Sequence, residues 1–464
     1  MASASSSTPS NFPSTSLPNF TPPKSILIVG SGVFGLSTAL SLATRPSFFG
    51  TKITVIDRSS FPSPDGSSID SSRIVRPDYA DPAYAALADK AQNIWRQSSS
   101  PDSLGGSGRY TESGLTLVAN ASSNGLPYVR SSYKNVIAIN KGTSAEGTVH
   151  ELKSRQEISD RVGTDGYSGD WGYINTRSGW ADAEASMVWL RRKVESTERV
   201  DFKVATVSSL LFSPTNSVQG VILSDSTKVT ADLTVLATGA WTPGLIDLRG
   251  RCQATGQVLS YLPITDAEQE RLEKMPVFLN MTGGMFIIPP RNNLLKVARH
   301  GYGYSNPVSI PNPEPLSPTN TEKTIIVSRP VTNYDNPNLW IPSEGEEACR
   351  KALAEMIPSL AGRPFTQSRI CWYTDTPTGD FLISYHPTYS NLFLATGGSG
   401  HGFKFLPVIG DKIVDCLQGD CPAEFKDKWA WKKEVVENVV TEDGSRGGRS
   451  GMILEVEMAQ VSKL

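Results

Sequence analysis

A glycine-rich turn near the start of the chain is the feature that most limits its fold. The apolar run Ser25–Val29 predicts a buried parallel strand, and Leu36–Leu42 predicts a helix. The turn between them reads Gly30-Ser31-Gly32-Val33-Phe34-Gly35. In such a turn the first glycine allows the bend, the second lets backbone approach a pyrophosphate, and the third lets the helix pack closely on the strand. The sequence therefore predicts a Rossmann-like domain with phosphates at the helix N-terminus.

A second predicted strand supports nucleotide binding. Lys52–Ile56 is rich in β-forming residues and ends at Asp57. A carboxylate at this place can accept hydrogen bonds from an adenosine ribose. Because it would also repel a 2′-phosphate, Asp57 favours FAD or NAD over NADP.

Two later apolar strands also end in small residues. Ala231–Trp241 contains an Ala-Thr-Gly turn, and Asn391–Lys404 enters a glycine-rich turn followed by a helix. The N-terminus of that helix could face an anionic group, such as the edge of a reduced flavin. A serine-hydrolase elbow requires glycine where His401 stands, so that class is excluded.

Composition excludes several other classes. The 464 residues include 44 basic and 46 acidic side chains, for a net charge of −2, which argues against a nucleic-acid binder. The five cysteines are odd in number and widely spaced, so no disulfide framework and no zinc site is expected. Ser25–Thr44 is uncharged, but its glycines and its change of period indicate a strand, a turn and a helix rather than a membrane span.

The two ends of the chain carry different signals. Residues 1–24 are almost wholly Ser, Thr, Pro, Ala and Asn, which predicts a disordered tail. The last three residues, Ser462-Lys463-Leu464, match the terminal signal read by the peroxisomal import receptor. We therefore expect a peroxisomal protein with that receptor as a partner.

Three further segments complete a family resemblance. They are Ser71-Ser72-Arg73-Ile74-Val75-Arg76-Pro77-Asp78-Tyr79, Lys296-Val297-Ala298-Arg299-His300 and Cys371-Trp372-Tyr373-Thr374-Asp375-Thr376-Pro377. Together with the glycine turns, they resemble the D-amino-acid-oxidase-like flavoproteins over roughly residues 25–417. The nearest branch is similar to monomeric sarcosine oxidase, fungal pipecolate and saccharopine oxidases, and fructosyl-amine oxidases (amadoriases).

The resemblance implies FAD as the cofactor. Its implied contacts are Gly30, Ser31, Gly32, Val33, Phe34, Gly35, Asp57, Arg58, Ser71, Ser72, Arg73, Val207, Gly239, Cys371, Gly400, His401, Gly402, Phe403 and Lys404. Cys371 is the implied site of covalent FAD attachment, and Arg369, on the same face of its strand, could supply positive potential. No metal is expected.

The implied reaction is the oxidation of an amine carbon by FAD, with oxygen as the acceptor and hydrogen peroxide as a product. The implied substrates are secondary amino acids such as pipecolate, saccharopine, sarcosine or an N-methyl amino acid. By resemblance Lys296, His300 and Arg73 are catalytic, with Lys296 promoting oxygen reduction. Arg76 and Lys404 bind the substrate carboxylate, because a planar guanidinium can bind it bidentately. Tyr373 and Trp372 are expected walls of the pocket.

Departures from the branch leave alternatives open. Amadoriases resemble one another in an acidic residue where this chain has His300 and a lysine where it has Arg73, which weakens the glycated-amine interpretation. A tyrosine of the sarcosine oxidases falls at Met285, so a larger or more apolar amine is expected. The alternatives are an amadoriase, an FAD-dependent amine dehydrogenase, a biosynthetic oxidase using another acceptor, and a nonenzymatic flavin-binding relic.

The expected fold is an α+β two-domain flavoprotein. A Rossmann-like, glutathione-reductase-like FAD-binding domain is predicted from residues 25–100, 178–249 and 369–418. A substrate domain with a mixed-to-antiparallel sheet is predicted from 101–177 and 250–368, with antiparallel strands over Tyr110–Val118 and Pro276–His300. In the cofactor domain, Lys203–Val207 is expected to be a strand. A C-terminal helix, Gly-rich linker and targeting tail are predicted over 419–464, with an amphipathic pattern over Phe425–Val440 and the Gly-rich stretch at Ser445–Gly451. The chain is expected to be a monomer.

Overall fold

The strand that precedes the glycine turn lies at the centre of a six-stranded sheet. In the computed structural model, which describes residues 20–318 and 320–459, all neighbouring pairs of this sheet are parallel except the pair at one edge. In spatial order its strands are Leu382–Tyr385, Leu392–Thr396, Leu233–Leu236, Ser25–Val29, Lys52–Asp57 and Val200–Val204. The central strands are buried on both faces, which explains their unbroken apolar sequences.

Helices pack against both large sheets. Val33–Thr44 packs closely against Leu406–Leu417, and an added Cβ at Gly410 would lie 2.0 Å from the Ser37 carbonyl oxygen. The other α-helices are Pro82–Trp95, Gly125–Asn140, Arg155–Val162, Ala183–Glu195, Asp266–Leu272, Ser343–Met356, Ala423–Trp429 and Leu454–Ala459. Short 3-10 turns occupy Pro46–Phe48, Gly239–Gly244, Pro358–Leu360 and Phe403–Phe405.

A ten-stranded mixed sheet forms the second layer. In spatial order it contains Met452–Ile453, Tyr304–Ser305, Gln253–Pro263, Leu294–Arg299, Met285–Arg291, Val277–Asn280, Leu115–Ala119, Trp171–Asn175 and Val149–Leu152, with Gln367–Asp375 paired to Gln253–Pro263. Most neighbours are antiparallel, as predicted for Pro276–His300. Part of Gln367–Asp375 falls in the stretch predicted for the cofactor domain, yet the whole strand belongs to this larger sheet.

Three small sheets complete the fold. One joins Val207–Phe212, Val218–Leu223 and Lys228–Thr230. Another joins Arg73–Val75, Gly179–Ala181 and Tyr110–Thr111, and the last pairs Pro307–Pro311 with Thr324–Ser328. The Arg73–Val75 strand therefore belongs to neither of the two large sheets.

Three sequence-based expectations are wrong in detail. The strand expected over Lys203–Val207 ends at Val204, and Val207 begins a separate strand in a different sheet. The amphipathic stretch Phe425–Val440 is helical only to Trp429. The segment Ser445–Gly451, expected to be a linker, has Ser445 and Arg446 buried because the chain packs against the second sheet there. Residues 1–19 and Ser462-Lys463-Leu464 lie outside the described residues.

None of the helices in residues 20–318 and 320–459 combines the length and the apolar character needed to cross a bilayer. Within the same residues, no three His, Cys, Asp or Glu side chains are grouped so that they could hold a metal ion.

Candidate active site

The glycine turn has a geometry that only glycine permits. Gly30 has φ +103°, and an added Cβ would lie 2.4 Å from the Ala237 carbonyl oxygen. At Gly35 it would lie 1.9 Å from the Gly30 carbonyl oxygen. The helix therefore begins directly against the strand end. Gly32, which precedes the helix, has no side chain of its own, and the N–H groups of a helix start are a common binding place for phosphate.

Asp57 lies beside this turn at the end of its strand. Its Oδ2 accepts hydrogen bonds from the Ser31 N–H and hydroxyl, both at 2.7 Å. Among the described residues, Oδ1 accepts only a longer bond of 3.4 Å, from the Ser59 N–H. An open cavity is lined by Ser31 and Asp57, so the less occupied oxygen is available to a ribose hydroxyl. These residues fit the adenosine half of FAD.

Other predicted cofactor contacts lie around this turn. Val33 donates its N–H to Ser68 Oγ at 3.0 Å, and the Phe34 ring packs edge-on against Phe381. Arg58 pairs with Asp65, and its guanidinium lies 4.3 Å from the centre of the Trp241 ring. Gly239, with φ +52°, begins the 3-10 turn that follows the Leu233–Leu236 strand.

A second cavity brings most of the other predicted site residues together. It is partly open to solvent, and both apolar and charged side chains line it. The predicted residues among its walls are Ser72, Arg73, Arg76, Lys296, His300, Cys371, Tyr373, Gly400, His401, Phe403 and Lys404. They come from the ten-stranded sheet, from the segment around the Arg73–Val75 strand of a small sheet, and from the turn that follows Thr396. Because that turn follows a strand of the six-stranded sheet, the cavity lies between that sheet and the ten-stranded one.

Apolar residues form another part of the same wall. Leu279, Phe286 and Ile288 line the cavity, whereas Met285 does not. Because side chains alternate along a strand, Phe286 and Ile288 face the cavity while Met285 packs into the core on the other face. The expectation of an apolar wall agrees with these residues, but Met285 is the wrong residue for it.

Strand alternation also separates the residues around Cys371. Arg369, Cys371 and Tyr373 share one face, and Cys371 and Tyr373 line the cavity. Trp372 is fully buried on the opposite face and donates its indole N–H to the Val331 carbonyl oxygen at 2.7 Å. Trp372 is therefore not a wall of the pocket. The Arg73 Nη2 atom lies 3.8 Å from Cys371 Sγ.

Asp70, which the sequence analysis missed, organises one end of the cavity. Its Oδ2 pairs with Lys296 Nζ at 3.1 Å, with Arg369 Nη2 at 3.4 Å and with Arg73 Nη1. Tyr261 donates its hydroxyl to Oδ1 at 2.6 Å. Arg369 thus binds this carboxylate, in addition to lying on the face of Cys371. Asp70 directly precedes the predicted Ser71–Tyr79 motif, but nothing in the sequence pattern distinguishes it from a surface aspartate.

Burial and charge act in opposite directions on this cluster. Burial alone would raise the pKa of Asp70, but Lys296, Arg73 and Arg369 hold it well below its usual value. Burial lowers the pKa of Lys296 to about 8, against the attraction of Asp70. Lys296 also donates to the Ser72 carbonyl oxygen at 2.6 Å, and the Ser71 N–H donates to Asp70 at 2.7 Å. The Ser71-Ser72 pair therefore fixes this end of the cavity through its backbone.

Arg76 and Lys404 form a second group of cations in the cavity wall. Both are buried, and both contact Tyr79: the Arg76 guanidinium carbon lies 5.0 Å from the ring centre, and Lys404 Nζ donates to the hydroxyl at 2.9 Å. Arg76 Nη1 has no hydrogen-bond partner among residues 20–318 and 320–459. A buried guanidinium with an unused donor is costly, so this atom marks a place for an anionic ligand.

The Tyr79 hydroxyl connects Lys404 to His401. It lies 2.9 Å from His401 Nδ1, and His401 Nε2 lies 2.8 Å from the Gly379 carbonyl oxygen. Burial and then Lys404 lower the pKa of His401 well below its usual value, so the ring is neutral. Nε2–H then donates to Gly379, and Nδ1 accepts the Tyr79 hydroxyl proton, which leaves the Tyr79 oxygen to accept from Lys404. Burial, and then Arg76, also lower the pKa of Lys404.

The turn that carries His401 and Lys404 packs tightly. A Cβ at Gly400 would lie 2.2 Å from the Tyr373 ring, and one at Gly402 would lie 3.0 Å from the Phe34 ring. Phe403 stacks on Trp95 with ring centres 5.9 Å apart. These contacts hold the turn between the glycine motif and the cavity.

Arg446 is the second residue that the sequence analysis missed. Its Nη1 lies 3.0 Å from His300 Nδ1, and its Nη2 pairs with Asp375 at 2.5 Å. Burial, and then the Arg446 charge, lower the pKa of His300 well below its usual value. His300 is therefore a neutral acceptor in the wall of the cavity. Arg446 lies in an irregular Gly- and Ser-rich stretch, where no periodic pattern predicts that a side chain is buried.

Three features define an FAD-dependent oxidoreductase. They are the Rossmann-like sheet, the glycine turn with Asp57 placed to bind a ribose, and the adjoining cavity lined by cations. The chain belongs to the family described as FAD dependent oxidoreductase, whose profile matches residues 25–416. This membership confirms the expected family, fold class and cofactor.

Similar proteins extend over nearly the whole chain. The amino acid oxidase imqH of Aspergillus flavus is 34% identical, over 86% of this chain and 94% of its own length. The L-saccharopine oxidase of Schizosaccharomyces pombe is 30% identical, over 89% of this chain and 94% of its own. The crystal structure of the fructosamine oxidase amadoriase II from Aspergillus fumigatus matches with a TM-score of 0.75 and 28% identity, over 94% of this chain and 95% of that one.

Proposed function

We propose that the chain oxidises the amine carbon of a secondary amino acid, with oxygen as the electron acceptor. The observation that carries the proposal is the pair Arg76 and Lys404 in the cavity wall, where one buried guanidinium nitrogen has no partner among the described residues. That pair supports a substrate with a carboxylate. The similarity to an amino acid oxidase and to a saccharopine oxidase supports the same substrate class.

In this proposal the chain's own residues bind and orient the substrate. Arg76 offers its Nη1, which has no partner in the part of the chain that the structure describes, to the carboxylate, while Lys404, held by Tyr79, contributes a second charge. The amine then lies toward His300 and Tyr373. Nearby positive charge lowers the pKa of an amine, so the cation-lined cavity favours the neutral form whose lone pair assists oxidation.

FAD would lie between the glycine turn and this cavity. Gly30, Gly32 and Gly35 would receive the pyrophosphate, and Asp57 the ribose. Arg73, Cys371 and Lys296 would lie near its ring. When bound, FAD supplies the two-electron oxidation of the amine and the transfer of those electrons to oxygen. The Lys296 ammonium supplies positive charge on the side where oxygen would be reduced.

We further propose that FAD is bound covalently through Cys371. Its sulfur lines the cavity and has the Arg73 guanidinium at 3.8 Å, which supplies positive charge where a thiolate must form. Mass spectrometry of a digest is expected to find flavin on the peptide that contains Cys371. Absence of flavin from that peptide in a yellow holoenzyme would reject the attachment.

We also propose that the protein is imported into peroxisomes, on the basis of Ser462-Lys463-Leu464. A fluorescent protein fused to the N-terminus should collect in peroxisomes. The same fusion without the last three residues should remain outside them. Equal distribution of the two fusions would contradict the proposal.

A fructosyl amino acid is the second candidate substrate, favoured by the similarity to the amadoriase II structure. His300 argues against it, because the amadoriases resemble one another in an acidic residue at this position. The two candidates differ in what they require beside the amine. A sugar requires hydroxyl-binding groups there, whereas Leu279, Phe286 and Ile288 are apolar.

An anaerobic reduction screen tests the proposal. The oxidised holoenzyme is mixed with sarcosine, pipecolate, saccharopine, N-methyl amino acids and fructosyl amino acids, and loss of flavin colour is recorded. We expect a secondary amino acid to bleach the protein fastest, and admission of oxygen to restore the colour with one peroxide per turnover. Fastest bleaching by a fructosyl amino acid would favour the second candidate. Bleaching without peroxide formation would indicate a dehydrogenase.

A further inference from the structure

Two cysteines lie against each other at the end of the helix that follows Lys404. Cys416 is in the last turn of Leu406–Leu417, and Cys421 lies just before Ala423–Trp429. Their sulfur atoms are 2.6 Å apart. A disulfide bond is about 2.0 Å long. The backbone therefore already holds both sulfurs close to bonding distance, and a small shift would join them.

Backbone hydrogen bonds fix this arrangement. The Gly419 N–H donates to the Cys416 carbonyl oxygen at 3.0 Å, and the Asp420 N–H donates to the Asp415 carbonyl oxygen at 2.8 Å. Gly419 has φ +87°, a left-handed conformation that reverses the chain. The turn thus brings Cys421 back to the helix end, independently of the nucleotide and substrate cavities.

The two thiols differ in access and in acidity. Cys416 is buried, whereas Cys421 is partly exposed. The hydrogen bond from Cys416 lowers the pKa of Cys421 and raises that of Cys416. Cys252 and Cys349 are both buried, and burial raises the pKa of each to about 12. Cys421 is therefore the thiol that an oxidant reaches first, with a second sulfur in place behind it.

We propose that Cys416 and Cys421 form a reversible disulfide when the protein meets hydrogen peroxide. The Cys421 thiolate attacks one peroxide oxygen, the O–O bond breaks, and the departing hydroxide takes a proton to become water. The resulting sulfenic acid is attacked by the Cys416 thiol, the S–S bond forms, and the hydroxyl leaves as a second water with the thiol proton. Two thiols lose two electrons in total, and one peroxide is reduced to two waters.

The disulfide would tie together two segments that lie outside the cavity walls. One is the helix that follows Lys404. The other is Ala423–Trp429, whose Trp429 indole donates to the Tyr84 hydroxyl at 2.9 Å and whose chain continues to Arg446. Closing this short loop restricts the unfolded chain, so the oxidised form should melt at a higher temperature. The source of the peroxide, though not the reactivity of the pair, rests on the proposed function.

Peptide mapping tests the proposal. Reduced holoenzyme is treated with hydrogen peroxide, denatured, alkylated with iodoacetamide and digested with trypsin, which releases both cysteines in the peptide Ile413–Lys426. We expect that peptide to lose the mass of two hydrogen atoms and to carry no label, and dithiothreitol treatment to restore both labels. Cys252 and Cys349 should remain labelled throughout and serve as internal controls.

Single substitutions identify the order of attack. In Cys416→Ser, peroxide should leave a sulfenic acid on Cys421 that dimedone traps. In Cys421→Ser, Cys416 should remain unmodified. The oxidised wild type should melt above its reduced form, whereas peroxide should not raise the melting temperature of Cys416→Ser. Should a variant fail to fold, the wild-type map decides alone.

Full labelling of both cysteines after a peroxide dose that oxidises free glutathione would overturn the proposal. So would conversion of Cys421 to sulfinic acid without a disulfide in the wild type. A second arm replaces added peroxide by amine turnover with and without catalase. A disulfide that forms with added peroxide but not during turnover would support the cysteine pair and count against the peroxide-producing function.

Discussion

A phenylalanine at position 79 would keep the ring packing of Tyr79 but lose the hydrogen bonds of its hydroxyl. That hydroxyl accepts from Lys404 and donates to neutral His401, as the two distances of 2.9 Å and the neutral histidine require. In Tyr79→Phe the Lys404 ammonium loses an acceptor in a buried setting. A hydrogen bond to a charged group is worth about 1.5–3 kcal/mol, so we expect KM for the amino acid to rise by about tenfold or more, with a smaller change in kcat.

Tyr84→Phe is the matched control for this prediction. Tyr84 stacks on Tyr79 in the same aromatic cluster, but its hydroxyl contacts the Phe381 N–H and the Trp429 indole rather than Lys404. It should lower the melting temperature and leave KM unchanged. An equal rise in KM in both variants would mean that the cluster, not the Lys404 contact, determines binding.

The charge of Lys296 leads to a prediction about pH. Its pKa is lowered to about 8, while that of Asp70 stays well below its usual value. The ammonium is therefore present below pH 8 and is lost as the pH rises through that value, with Asp70 ionised throughout. If this charge promotes oxygen reduction, the rate at which oxygen restores the colour of the reduced holoenzyme should fall across pH 8.

Two substitutions separate Lys296 from other titrating groups. Lys296→Arg keeps a positive charge to higher pH, so the fall should move upward. Lys296→Met should react slowly with oxygen at every pH, without a step near 8. Stopped-flow measurements at constant ionic strength provide the rates. An unchanged step in both variants would assign the pH dependence to a different group.

At the scale of elements, the central strands and the first helices could be predicted from the pattern of residues. The segments that complete the site could not. The Ser25–Val29 strand, the Gly30–Gly35 turn and Asp57 follow from local rules: apolar runs, glycine geometry and a polar strand end. Asp70 and Arg446 obey no such rule. Each is buried only because distant parts of the chain supply its partners, and a single sequence does not contain that information.

The segment that carries Arg446 can be tested through its backbone. An added Cβ at Gly447 would lie 2.2 Å from the Gly284 backbone nitrogen and 2.3 Å from the Gly283 carbonyl carbon. Gly447→Ala must therefore displace the segment, and with it the Arg446 contact to His300. We expect a lower melting temperature and a lower kcat/KM, since the histidine loses its partner.

Gly362→Ala is the control for Gly447→Ala. An added Cβ at Gly362 meets no atom within 4 Å among the described residues, so this variant should behave like the wild type. Circular dichroism should show that both variants retain the fold. Wild-type kinetics in Gly447→Ala would mean that the segment yields without moving Arg446.

At the scale of the whole molecule, the sequence predicted two layers, and the site lies where they meet. The Gln367–Asp375 strand shows what local patterns leave out. It lies close in sequence to strands of the six-stranded sheet, yet it pairs over nine residues with Gln253–Pro263 of the other sheet. That register places Cys371 opposite Gln257 and sets the sulfur in the cavity. Long-range pairing of this kind depends on the assembled fold.

A covalent flavin would join the two layers permanently, so its presence should be visible in how the melting temperature depends on added FAD. A ligand that binds only the folded state stabilises it by an amount that rises with its free concentration, about 2.7 kcal/mol at about 100 times Kd. In Cys371→Ser, FAD could still occupy the glycine turn and the cavity but would dissociate. Its melting temperature should therefore rise as FAD is added, and gel filtration should remove its colour.

The wild type and Cys349→Ser should behave differently from Cys371→Ser. Both would keep their colour on gel filtration and melt at a temperature that added FAD does not change, because the cofactor is already held by a bond. Cys349 is a suitable control, since it is fully buried in the Ser343–Met356 helix away from the cavity walls. Loss of colour from the wild type would contradict covalent attachment. A Cys371→Ser protein that retains its colour through denaturation would place the bond on another residue.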